Sequence, residues 1–88
     1  MNSSDTNGAH ALALNALVWV LGEPDRAERF LALTGLQGED IRARIDDPAL
    51  LDAVVGYLEG HEPDLVACAR TLEVTPTTLL NVRGTLGR

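Results

Sequence analysis

Apolar residues crowd the first quarter of the chain and then recur at helical spacing to its end. The densest run spans residues 9–21 and predicts a helix that Thr6 or Asn7 would cap and Gly22 would end. One face of this helix carries Leu14, Leu17, Val18 and Leu21; the other carries Leu12, Ala16, Trp19 and Val20. A helix that is apolar on both faces needs cover on both. It is therefore either the centre of a bundle or a helix that lends one face to another molecule. Leu12, Ala16, Trp19 and Val20 are the candidate interface residues.

The later stripes are narrower. Glu23-Pro24-Asp25 opens a second helix, because proline at the first helical position lacks only an N–H that has no partner there. Ala27, Phe30, Leu31 and Thr34 follow at i, i+3, i+4 and i+7, and Gly35-Leu36 reads as a left-handed C-cap. A short third helix is predicted from Gly38 to Ile45, with Ile41 and Ile45 inward and an Asp40–Arg44 pair outside. Asp47-Pro48 opens the fourth, with Leu50, Leu51, Val54, Val55, Tyr57 and Leu58 apolar and Gly60 at its end. Glu62-Pro63-Asp64 opens the fifth, with Leu65, Val66, Ala69 and Leu72 inward. Thr75-Pro76 opens the sixth, with Leu79, Val82 and Leu86 inward.

These stripes predict an all-α fold, a compact bundle of five or six short helices around a central apolar N-terminal helix. Residues 1–6 read as a disordered tail and 7–88 as a single helical domain. The unit from Glu23 to Ile41 faintly echoes the unit from Glu62 to Leu79. Similar capping chemistry arising twice accounts for that echo better than a repeat.

Composition narrows the function classes. An 88-residue chain is expected to form one domain with a modest core. Cys68 is its only cysteine, so no disulfide supports that core, and a reducing, cytoplasmic setting is expected. The run 9–21 is too short for a bilayer and has no basic residue before it, so neither a membrane span nor a signal peptide is expected. The net charge is −6, and 12 of the 13 acids lie in residues 1–64. Three of the seven arginines lie in residues 65–88, which carry +2. An acidic body repels nucleic acid, and only the last quarter escapes that repulsion.

Candidate chemistry is sparse. The acidic pairs Glu23/Asp25, Glu39/Asp40, Asp46/Asp47 and Glu62/Asp64 all fall at predicted helix starts, where carboxylates serve as caps. His10 and His61 lack metal-ligand spacing. His61, beside Glu62 and Asp64, reads as an exposed loop histidine, with pH sensing as the alternative. Cys68, near an apolar stripe, reads as a buried thiol. No catalytic residue, cofactor or metal is expected. Ala69, Val74, Leu79 and Val82 follow helix-turn-helix spacing, with Arg70, Thr77, Thr78, Asn81 and Arg83 as candidate nucleic-acid contacts. That joint lacks the usual glycine. The unit Phe30–Ile45 has one in Gly35, but its second helix presents Glu39 and Asp40 to the phosphates.

The stretch Arg29-Phe30-Leu31-Ala32-Leu33-Thr34-Gly35-Leu36, continued by Ile41-Arg42 and by Asp47-Pro48 with Leu51, Val55 and Leu58, resembles a family of short bacterial proteins catalogued only as a domain of unknown function. The resemblance runs over residues 9–83. Where the family pattern places an acidic cap and a proline after this stretch, Gln37-Gly38 stand here. The resemblance implies an all-helical fold in a bacterial cytoplasm, and it brings no activity and no functional residues with it. The expected function is therefore a non-enzymatic protein-interaction module, acting on itself or as an adaptor. The alternative is a small DNA-binding regulator using residues 75–83, ahead of an enzyme.

Overall fold

The proline rule sets most helix starts. The computed structural model describes residues 3–86, with side chains from Gly8 onward, and contains six helices: α1 (Ser3–Leu21), α2 (Pro24–Thr34), α3 (Gly38–Ala43), α4 (Pro48–Glu59), α5 (Glu62–Leu72) and α6 (Pro76–Leu86). No strand occurs among the described residues. Glu23 Oε1 accepts the Arg26 N–H at 2.8 Å, and Asp47 Oδ1 accepts the Ala49 N–H at 2.9 Å. Thr75 Oγ1 accepts the Thr78 N–H at 3.0 Å. Each bond satisfies a donor that the first helical turn leaves free. At α5 the pattern shifts by one residue. Glu62 is already helical, and His61 is the N-cap without a side-chain bond to the helix.

Two helix ends use left-handed residues. Gly35 (φ 74°) closes α2 with its N–H bonded to the Leu31 carbonyl. Glu73 (φ 61°) closes α5, with Glu73 N–H bonded to Arg70 O and Val74 N–H to Ala69 O. That double bond is a Schellman motif built without glycine.

Two further boundaries depart from the expectation. Helix α1 begins at Ser3, so neither Thr6 nor Asn7 stands at its start; Met1 and Asn2 lie outside the described residues. Helix α3 stops at Ala43, which leaves Ile45 40% exposed rather than inward. Arg44 is then the C-cap, and Asp40 accepts the Gln37 N–H at 2.9 Å instead of pairing with it.

Helices α1 and α4 share the centre. Each packs against α2, α5 and α6 and against the other. Every apolar residue expected inside α4 is buried. Helix α1 buries Ala9, Ala13, Ala16, Leu17 and Val20. Three of these are alanines, whose short side chains let α4 and α6 approach closely, and Leu51, Val55 and Val82 fill the resulting seam. The larger cluster gathers Phe30, Leu58, Cys68 and Leu79 around Leu17 and Val20. The radius of gyration is 12.1 Å, and a compact chain of this length has about 12 Å. No helix among the described residues is long and apolar enough to cross a membrane.

Candidate functional site

The first candidate surface is α1, and its buried strip runs between the two faces read from the sequence. Ala16 and Val20 are fully buried within the chain, and Leu12 and Trp19 are half-buried against its core. The expected interface of Leu12, Ala16, Trp19 and Val20 is thus covered intramolecularly. Trp19 is further covered by Arg26 of α2, whose guanidinium carbon stands 3.6 Å from the ring centroid. The same guanidinium donates to the Trp19 and Val20 carbonyls. A cation from the next helix therefore satisfies the C-terminus of α1, which has no basic residue in its own last turn.

What remains uncovered is the opposite strip. Val18 is 69% exposed and Leu21 37% exposed. Ala11 and Asn15 are exposed with them, and Leu14 is half-buried at their edge. At 100° per residue Ala11, Leu14, Val18 and Leu21 fall on one side of the helix. No formally charged residue occurs between Asp5 and Glu23.

The second surface is the α5–α6 pair. Thr77, Thr78 and Asn81 are exposed on α6, as is Arg70 on α5. Thr78 belongs to the cap, since Thr75 Oγ1 donates to its hydroxyl at 2.8 Å. Arg83 does not face outward with them. It turns toward α4, where Nε and Nη2 donate to Asp52 at 2.9 and 3.0 Å and Nη1 donates to Glu59 at 2.6 Å. The expected contact set is therefore split, and its helix-borne cation on α6 is neutralised by two carboxylates.

A polar cluster joins helices that the sequence gives no reason to connect. Tyr57 on α4 donates its hydroxyl to Asp64 Oδ2 on α5 at 2.7 Å. Arg29 on α2 donates from Nη1 to the Tyr57 oxygen at 3.1 Å and to Asp64 at 3.2 Å. Phe30 meets the Tyr57 ring edge-on at 5.6 Å, and His61 stacks on it at 4.5 Å. Stacking also leaves His61 half-buried, with Nδ1 2.9 Å from the Tyr57 carbonyl, rather than in an open loop. Burial, followed by the bond to Asp64, pushes the Tyr57 phenol above its ordinary range. It is thus held protonated as a donor, which suits a tertiary clamp.

One member of each of the four acidic pairs acts as a cap or a clamp, counting Asp64 for the Glu62/Asp64 pair. Glu23, Asp40 and Asp47 cap helices, Asp64 holds Tyr57, and Asp46 stands 3.6 Å from His10. Among the described residues no three His, Cys, Asp or Glu side chains gather into a group that could hold a metal ion. Cys68 is buried, and that burial pushes its thiol up to about 11.

Sequence reasoning missed the Arg26, Arg29 and Arg83 roles. Gly56 carried a readable signal for the last, since it sits in mid-helix between Asp52 and Glu59. Arg29 offered none, because its partners lie 28 and 35 residues away. Comparison with the curated proteins and with the solved structures finds no match. Residues 6–88 match the family described as "Protein of unknown function (DUF3572)", and with nearly its whole length matched the chain belongs to that family.

Proposed function

We propose that the chain is a non-enzymatic protein-interaction module that docks through the outward strip of α1. One observation carries this reading: Val18 is 69% exposed in the middle of an uncharged apolar strip on an otherwise acidic chain. Single exposed apolar residues are ordinary on any surface. Ala11, Val18 and Leu21 are exposed in register along one helix with half-buried Leu14 among them, and such a patch is suited to another protein. The carboxylates of the helix caps and the Tyr57 clamp agree with this reading, because they are already engaged with donors of the fold itself. Nucleic-acid binding is disfavoured by the same logic, since Arg83 is held by Asp52 and Glu59.

The test is capture from the native host with wild-type and Val18→Glu chains as parallel baits. Proteins held by the first and lost by the second, including untagged copies of the chain itself, support the reading. Equal retention by both baits rejects it.

A further inference from the structure

We propose that the partner on this strip is a second copy of the same chain, with the two α1 helices packed antiparallel about a two-fold axis between Leu14 and Asn15. The proposal rests on the reading of α1 as the docking surface. Charge permits a second copy. The chain carries −6, and the stretch from Thr6 to Gly22 contains no acid and no arginine. Across the acidic helix starts of residues 23–64 two copies would oppose carboxylates, whereas here they meet without like-charge repulsion. A basic partner would be drawn to the acidic helices and gain nothing from this strip.

The order of side chains is also self-complementary. In an antiparallel pair about that axis, residue 11 of one copy lies opposite residue 18 of the other, and residues 14 and 15 each lie beside their own counterparts. Ala11 then leaves room for the partner's Val18, so a small residue meets a larger one. Leu14 meets the partner's Leu14. Asn15 is the one amide in the exposed strip, and an amide carries both donor and acceptor. Two Asn15 side chains can bond each other, whereas a wholly apolar partner would leave both groups unpaired. A single polar residue of this kind sets register in helix pairs. The face from Gly8 to Leu21 is about 20 Å long. One such pair gives an interface at the small end of the specific range, so the dimer forms weakly and with concentration.

The test is disulfide trapping with two separate variants, Ala11→Cys and Val18→Cys. Both positions are exposed, and Cys68 is buried in each, so the new thiol is the reactive one. Equimolar variants are mixed at high concentration and oxidised, with wild type as the control. The expected result is an excess of the mixed disulfide between positions 11 and 18 over either self-linked product. Seven residues of helix place like positions about 10 Å apart along the axis, beyond disulfide reach. Self-linked Ala11→Cys as the main product would show a parallel pair and overturn the arrangement. No disulfide above the wild-type control overturns the second copy as partner. If capture still depends on Val18 in that case, the strip docks a different protein; if it does not, the docking reading fails as well.

Discussion

The Arg83 guanidinium lies close against Gly56 and would crowd a side chain there. A Cβ at position 56 would stand 3.3 Å from its Cζ and Nη1. Asp52 and Glu59 flank the glycine on α4, one turn to either side, and hold the guanidinium over it. Glycine in mid-helix costs about 1 kcal/mol against alanine. Here it makes room for the ion pairs that fasten α6 to α4. Gly56→Ala is therefore expected to change stability by less than about 0.5 kcal/mol in the native chain, as helix gain and crowding offset. In an Arg83→Ala background the same change is expected to stabilise by about 1 kcal/mol. A urea double-mutant cycle measures the difference, and equal effects in the two backgrounds would show no coupling.

The same pair has an acid limb. The hydrogen bond from Arg83 holds the Asp52 carboxyl below its ordinary range, against a smaller opposing effect of partial burial. A carboxyl lowered in the folded state contributes stability above its unfolded value and loses it as pH falls through the folded one. Wild type is expected to exceed Arg83→Ala by about 0.5–1 kcal/mol at neutral pH, a modest figure because both groups are well exposed. That margin should narrow below about pH 4. Denaturant titrations of both chains at pH 7 and pH 3 check it, and a margin independent of pH would contradict it.

Cys68 governs an alkaline limb. Burial pushes the thiol up to about 11 from 9.0, with Arg26 opposing slightly. Between those values the unfolded thiol ionises and the folded one does not, so the unfolded state loses protons first. Stability should then fall as pH rises from about 9 to 11, by about 2–3 kcal/mol from this group in full. Tyr57, also raised, adds to the decline above about pH 10. Cys68→Ala should start less stable and show the shallower slope. A thiol reagent at neutral pH should label wild type only as fast as the chain opens.

Phe30 is fully buried and meets Tyr57 edge-on. Phe30→Ala is expected to cost ~3–5 kcal/mol. A small domain holds roughly 5–8 kcal/mol in all, so this change should lower the melting temperature steeply. An unchanged melting temperature would show that α2 contributes little to the core.

Local rules were legible in the sequence, and long-range ones were not. Glu23-Pro24, Asp47-Pro48 and Thr75-Pro76 announced their helices because a cap acts within one turn. Glu62 slipped by one position because Pro63 is tolerated at the second helical residue as well as the first. The apolar run marks α1 as a central helix but does not tell its buried strip from its exposed one. An apolar residue at nearly every position carries no phase, and only the packing of α4 and α6 reveals that Val20 is buried while Val18 is bare. Arg83 was read as an outward contact because its partners sit 24 and 31 residues earlier. Glu73 shows the limit of a glycine rule, since the Schellman bonds hold it at a positive φ.

The division of α1 into a buried structural strip and a bare contact strip shared by two copies is the centre of the account. Sedimentation equilibrium of wild type and Val18→Glu, side by side over a wide concentration range, tests it most directly. The wild-type mass is expected to rise above the 9.4 kDa of one chain as concentration increases, while Val18→Glu folds normally and stays at one chain. A wild type that remains at one chain at every concentration, or a Val18→Glu chain that associates equally well, would contradict it.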